Sequence, residues 1–569
     1  MRLGRIHDEF PAPSYRGHQQ SALTDIAAAF EDGAEVVLVR APTGSGKSLL
    51  ARAICGCGER PAEADPGSPT GAYYTTPQVS QLDAVAEDPL LDDVSVVRGK
   101  GNYTCALSDE PDTPVPQAPC ERISGYQCSI KHRCPYYVDR DTAEHARIAG
   151  MTLAYFMQTA GSGTFGPRDV VVIDEAHGLA EWAETYATIE LSETTVPGWD
   201  PSRIPDEVTV NRQLLEFAKG VRDRCQRRVE RLVDKEELLP AEAARRDQLR
   251  DVIRELDWFC RDVTDTDSPT TWIVEDGEDR LAIKPLDPAR FLHRTVWDRG
   301  RRFALLSATI LDKTAFCRRV GLDPSTVRLV DVPHTFPLEN RPLYDLTQGR
   351  MTMAEREETL PKVANALARV FGAHEDEKGI VHCHSYAIQS ELADRLRALG
   401  EGNRIVAHDR ENRDDALAAW QSRNDPAVFL SVKMEEALDL AGDLARFQVI
   451  CKAPYPNVGD PAVSTRLADD QWAWYYGRTI RTVIQACGRV VRGRDDYGAT
   501  YLVDESLLDV FDRTRGSMPA WFREQVDACT VPDLPSVDAD SSTPVEPATD
   551  SDTTEPSRRS PMADVWDTD

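Results

Sequence analysis

Short apolar runs, each closed by a polar or charged residue or by proline, set the rhythm of the chain. Val36-Val37-Leu38-Val39 is the first. A run without polar alternation suits a strand buried on both faces of a parallel sheet. Ala72-Tyr73-Tyr74-Thr75-Thr76, Val170-Val171-Val172-Ile173 and Phe303-Ala304-Leu305-Leu306 repeat the pattern. Gly379-Ile380-Val381, Arg404-Ile405-Val406-Ala407, Ala427-Val428-Phe429-Leu430 and Val449-Ile450-Cys451 continue it in a second α/β unit that begins near residue 341. Between the two the period changes. Leu214, Phe217, Ala218, Val221 and then Leu249, Val252, Ile253, Leu256, Phe259 recur at helical spacing on either side of Leu239-Pro240, which predicts a helical hairpin. Trp272-Ile273-Val274 and Leu281-Ala282-Ile283 flank Glu275-Asp276-Gly277 as a β-hairpin. Residues 532–569 are rich in Ser, Thr, Pro and Asp and predict a disordered tail.

The first run leads into Ala41-Pro42-Thr43-Gly44-Ser45-Gly46-Lys47-Ser48 and then a stretch of helical composition. Strand, glycine-bearing turn, lysine, hydroxyl and helix is the order of a phosphate-binding loop. Gly44 and Gly46 let successive N–H groups surround a phosphate, and the helix start adds its dipole. Lys47 is placed to reach β- and γ-phosphates, and Ser48 to complete a Mg²⁺ shell. Upstream, Gln19 offers an amide donor and acceptor suited to adenine. The third run ends in Asp174-Glu175-Ala176-His177. There Asp174 suits Mg²⁺, Glu175 an attacking water, and His177 the coupling to neighbouring motifs.

Further polar groups close other runs. Thr75, Thr76, Gln78 and Gln81 are candidates for a nucleic-acid backbone, although Thr76-Pro77 is equally a helix start. Ser307 and Thr309 are placed to sense a γ-phosphate. Gln485, Arg489 and Arg492 read as one helical face, with the two arginines at i and i+3 positioned to act on phosphate. His382 and His384, with no carboxylate pair nearby, read as structural.

Composition changes the picture in two ways. The net charge is −29, with 11 lysines against 55 arginines. Two readings follow: a halophilic host, or a partner that is not nucleic acid. Acid spread along the whole chain, with basic residues kept at the motifs, favours the first. Residues 1–10 carry no apolar signal segment and no run reaches membrane-spanning length, so a cytoplasmic protein is expected. Of 13 cysteines, Cys105, Cys120, Cys128 and Cys134 lie within thirty residues in a segment without core pattern. Four thiolates so placed suit an iron–sulfur cluster or zinc.

Taken together, the motifs resemble the XPD/DinG group of superfamily-two DNA helicases over roughly residues 10–525. Val97–Cys105 looks like that group's entry to its [4Fe–4S] domain and Cys134–Arg140 like its exit, so the resemblance makes the four cysteines cluster ligands. Ser385-Tyr386 and the Gln485–Gly498 segment match later motifs. Glu436-Ala437-Leu438-Asp439 stands where the group has Glu-Gly-x-Asp, which assigns Asp439 to the nucleotide. Ala41 replaces the usual first glycine, and Gly178 follows the D-E-A-H box.

The implied fold is α/β, with two RecA-like parallel-sheet motor domains, an inserted iron–sulfur domain and an α-helical arch. The expected boundaries are motor 1 at 1–98, 151–180 and 291–340, cluster domain at 99–150, arch at 181–290, motor 2 at 341–525 and acidic tail at 526–569. ATP and Mg²⁺ are expected between the motors, with 5′→3′ movement along single-stranded DNA and unwinding of forked or 5′-tailed duplex by a monomer. Repair or fork maintenance is the expected setting, with repair proteins as partners through the tail and no membrane. The alternatives are an ATP-switched DNA clamp that does not unwind, and an ATPase indifferent to nucleic acid.

Overall fold

The structure is a computed structural model that describes residues 1–535 except 61–64, 66, 206–209, 211, 265–270, 278, 433–439 and 441. The chain divides into two compact units between Val332 and Pro333.

In the first unit the strands are β1 (Val36–Arg40), β2 (Ala72–Thr76), β3 (Val94–Val96), β4 (Ile148–Thr152), β5 (Arg168–Ile173), β6 (Ile189–Ser192), β7 (Trp272–Gly277), β8 (Arg280–Pro285), β9 (Gly300–Ser307) and β10 (Val327–Asp331). Seven form one sheet in the order β10-β1-β9-β5-β2-β4-β3. Every pairing in it is parallel. Inner strands of such a sheet meet helices on both faces, which is why β1 and β5 are apolar at consecutive positions. Val37, Leu38, Val39 and Val170–Ile173 are fully buried. β3, β4 and β10 lack a long apolar run and were not legible as strands.

The helical hairpin is present as Arg212–Val233 and Pro240–Thr264. Its apolar stripe, including Leu214, Val221, Leu249, Leu256 and Phe259, packs in one core with Ile189, Leu191, Leu281 and Ile283. The β7–β8 hairpin is also present, but β6 joins it, with Ile189 opposite Ile283. The insertion is therefore a helical hairpin on a three-stranded antiparallel sheet. Its helical turn is tied to the cysteine-bearing segment: the Ser124 N–H donates to Glu236 O, and the Leu238 N–H to Arg122 O, each at 2.8 Å. Arg122 adds ion pairs to Glu110 and Glu237.

The second unit holds β11 (Leu343–Gly349), β12 (Gly379–His382), β13 (Ile405–Val406), β14 (Val428–Ser431), β15 (Phe447–Ile450) and β16 (Ala499–Asp504). Their order is β11-β16-β15-β12-β14-β13, again all parallel. Among the described residues no helix is long and apolar enough to cross a membrane.

Candidate functional site

The loop after β1 is shaped by two left-handed glycines, Gly44 at φ 78° and Gly46 at φ 79°. Gly46 caps the helix Lys47–Gly56. Left-handed backbone disfavours a β-carbon, and one on Gly46 would collide with the Gln19 amide nitrogen. That amide is buried and engaged on both sides: its oxygen accepts from the Arg16 N–H at 2.9 Å, and Nε2 donates to Ser45 O at 3.0 Å. Gln19, which the sequence offers to adenine, here braces the loop through the protein's own backbone and keeps a second N–H and a second lone pair on its amide. Ala41 is buried and its N–H donates to Ser307 O at 3.0 Å. The Ser45 hydroxyl turns back to Pro42 O at 2.7 Å, and Thr43 stands half-buried between them.

The carboxyl ends of β1, β2, β5 and β9 lie side by side, and this edge of an open parallel sheet is where ligands bind. The Asp174 N–H donates to Thr75 O at 3.0 Å, which carries Asp174 over the end of β2. Glu175 follows with φ 47°, a left-handed position costing ~1–2 kcal/mol outside glycine. That turn swings its carboxylate to Lys47, 3.2 Å from Nζ. The other Glu175 oxygen lies 3.3 Å from His177 Nδ1, which also meets Ser307 Oγ at 2.9 Å. Ser307 Oγ in turn accepts the Thr309 N–H at 3.0 Å. Burial pushes the Asp174 carboxyl up, and the neighbouring Glu175 charge adds to the shift. Burial acts the same way on Glu175 and is the largest single influence, but the Lys47 ammonium and His177 together outweigh it and hold that carboxyl well below the usual range. Burial also pushes the Tyr74 phenol well up, the Asp174 charge adds to the shift, and the Ser48 hydroxyl opposes it. One carboxylate and one hydroxyl, completed by phosphate and water, is a donor set that suits Mg²⁺.

The remaining sequence-assigned residues are distributed differently. Thr76 is buried and its hydroxyl donates to Gln78 O at 3.1 Å, so it serves its own turn. Gln78 is exposed, and Gln81 is half-buried on the helix Val79–Glu87. Ser385 caps the helix Tyr386–Ala398 by accepting the Ile388 N–H. Tyr386 is half-buried, with the Arg410 guanidinium 5.5 Å above its ring. Gln485 lies on the helix Trp472–Cys487, which ends before the arginines. The expected shared helical face for Arg489 and Arg492 is therefore corrected. Gly488 closes the helix, and Asp496 holds the following turn by accepting the Arg492 N–H at 3.0 Å and pairing with Arg446 at 2.9 Å. Arg489 is buried beyond that end. Asp439 lies outside the described residues.

The four clustered cysteines are free thiols, Cys134 buried and the others half-buried. Cys134 stands at the N-cap of the helix Pro135–His145. Burial pushes the Cys120 thiol up to about 11, and nearby Glu121, Cys128, Cys105 and Cys134 add to the shift. The other three thiols thus act on the charge of Cys120, and thiolate is the donor type that an iron–sulfur or zinc group takes. Among the described residues no three His, Cys, Asp or Glu side chains are gathered as a closed metal shell.

The DEAD_2 family matches residues 117–196, and the helicase C-terminal domain family matches residues 369–525. The ATP-dependent DNA helicase DinG of Photobacterium profundum is 24% identical over 258 residues, 41% of this chain and 36% of that protein. The regulator of telomere elongation helicase 1 of Bos taurus is 35% identical over 118 residues, 18% of this chain and 10% of that protein. The chain thus covers well under two-thirds of either relative. The solved structure of S. tokodaii Xpd4 matches with a TM-score of 0.57 at 15% identity, over 91% of this chain and 100% of that one. At that identity the likeness concerns the fold: two RecA-like parallel-sheet units.

Proposed function

We propose that this chain, an XPD/DinG-like superfamily-two protein by its domains and fold, is an ATP-dependent DNA helicase. The observation that carries the reading is the group Lys47, Glu175, His177 and Ser307, drawn from three strand ends to one sheet edge. In this reading Lys47 leaves Glu175 for the β- and γ-phosphates, and Ser48 and Asp174 hold Mg²⁺. Glu175, released from its counter-ion, orients the attacking water. His177 touches both Glu175 and Ser307. Loss of the γ-phosphate is thereby passed to β9 and the turn at Thr309. Arg489 and Arg492 supply positive charge to the transferred phosphoryl group, and Asp439 contacts the nucleotide.

Cys105, Cys120, Cys128 and Cys134 hold a [4Fe–4S] cluster in this reading, which would fold its segment locally and needs no part in hydrolysis. The substrates are single-stranded DNA and forked or 5′-tailed duplex, with movement 5′→3′ in DNA repair or fork maintenance. In the concentrated salt that a net charge of −29 suits, phosphate contacts weaken, so stacking and hydrogen bonds carry more of the binding.

The test is unwinding of 5′-tailed, 3′-tailed and blunt duplexes by the purified chain with ATP at low and high salt. Separation of the 5′-tailed duplex alone is expected. ATPase stimulated by single-stranded DNA without strand separation would replace the helicase with an ATP-switched clamp. Hydrolysis indifferent to DNA would remove nucleic acid from the reading.

A further inference from the structure

Tyr73 and Tyr74 are adjacent on β2, and the strand's alternation sends them to opposite faces of the sheet. Both are fully buried. The Tyr73 hydroxyl donates to Gly166 O at 2.7 Å. The Tyr74 hydroxyl has no hydrogen-bond partner, although water does not reach it. A buried polar atom left unmatched is costly, and a phenylalanine would fill the same space without that cost. The retained hydroxyl therefore needs a reason outside packing.

Its surroundings supply one. The Tyr74 ring lies in the core with Leu50, Ala51 and Cys55 of the phosphate-loop helix. Burial pushes its phenol well up, the Asp174 and Glu175 charges add to the shift, and the Ser48 hydroxyl opposes it without reaching hydrogen-bond geometry. Strand register fixes this place, because Tyr74 is opposite Val172 of β5 and Thr75 O takes the Asp174 N–H. The unmatched Tyr74 hydroxyl thus belongs to the face of β2 that packs against the Ser48 helix, two positions before the Asp174 end of β5 in register.

We propose that Tyr74 is a positioning residue for the magnesium shell. Its phenol oxygen accepts the Ser48 hydroxyl hydrogen, which turns a Ser48 lone pair toward the cation. The Tyr74 O–H then donates toward the Asp174 carboxylate and fixes the oxygen that faces the metal. Side chains one step behind metal ligands act in this way, and their loss costs about 10–100-fold in metal affinity. The inference rests on the nucleotide reading of Ser48 and Asp174.

The test compares wild type with Tyr74→Phe and Tyr73→Phe, with a fluorescent ADP analogue as probe. Its binding is titrated with Mg²⁺, and the melting temperature is measured without ligand. Tyr74→Phe is expected to raise the half-saturating Mg²⁺ concentration about tenfold, and to melt no lower than wild type. Saturating Mg²⁺ should restore analogue binding. Tyr73→Phe should leave the Mg²⁺ dependence alone and melt lower, having lost its bond to Gly166. Unchanged Mg²⁺ dependence in Tyr74→Phe, with wild type binding the analogue through Mg²⁺, overturns the inference. Wild type that shows no Mg²⁺-dependent nucleotide binding overturns the underlying functional reading instead.

Discussion

The Lys47 ammonium and the Glu175 carboxylate stand 3.2 Å apart, although 128 positions separate them in the chain. In the proposed reading each is occupied by the other at the place where a nucleotide phosphate and its attacking water would stand. The pair keeps a lysine and a carboxylate partly shielded from water without leaving either charge unmatched. On that reading nucleotide must break it.

Lys47→Ala should abolish hydrolysis while the fold persists. Lys47 is only partly buried and belongs to no core cluster, so its loss opens no cavity. A fall of about 100-fold or more in kcat is expected for the loss of one charge-stabilising group. Steady-state ATPase together with circular dichroism checks it. Wild-type turnover by a folded mutant would remove Lys47 from the chemistry.

Glu175→Gln separates binding from turnover. The neutral amide no longer holds Lys47, so nucleotide meets less competition for the ammonium. ATP affinity should be equal to or tighter than wild type, with hydrolysis down about 100-fold or more. Binding of a fluorescent ATP analogue and single-turnover hydrolysis read the two effects apart. Parallel loss of both would make Glu175 a binding group.

Gly46 and Gln19 form a coupled pair. Gly46→Ala should lower stability by ~1–2 kcal/mol from its left-handed backbone alone, and by more from collision with the Gln19 amide. Gln19→Ala removes the collision but not the backbone strain. The double mutant should therefore recover only part of the loss, a coupling that a double-mutant cycle on melting temperature detects. Strict additivity would mean that the Gln19 amide does not press on the loop.

Replacing Cys134 by Ser should remove visible absorption from anaerobically purified protein and expose residues 100–150 to protease. Wild type should carry about four irons if its four thiolates hold a cubane. Stoichiometric zinc without iron would make the site a structural zinc. ATPase should survive the substitution better than unwinding, because Lys47 and Glu175 lie on a separate sheet edge.

Arg489→Ala should lower kcat about 100-fold with little change in nucleotide affinity, as expected of a group that meets charge developing in the transition state. Affinity lost at unchanged kcat would make it a ground-state contact. Arg489 is buried beyond the end of its helix. A melting curve of the variant therefore accompanies the kinetics.

What the sequence determined was local. The run Val36–Val39 with its two glycines announced β1 and its loop, because conformation there depends on neighbouring residues. The Asp174–His177 box and the four cysteines were legible as residue types at short spacing. The helical hairpin declared itself through unbroken helical periodicity on both sides of Pro240. What tertiary structure decided was which distant pieces meet. The order of seven parallel strands has no local signal, since each pairing joins segments separated by helices and insertions. That order sets Asp174 over Thr75 and brings Ser307 to His177, and in the separate three-stranded sheet tertiary structure gives β8 the partner β6. It also decided how ambiguous side chains are used. Gln19, offered to adenine by its place in the sequence, also braces the phosphate loop because the fold brings the Ser45 carbonyl to 3.0 Å. Arg489 and Arg492 leave their expected helical face because Gly488 ends the helix and Asp496 holds the turn that follows. Tyr74 differs from Tyr73 by one step along a strand. Only the sheet determines which of their hydroxyls finds a carbonyl and which is left beside Ser48.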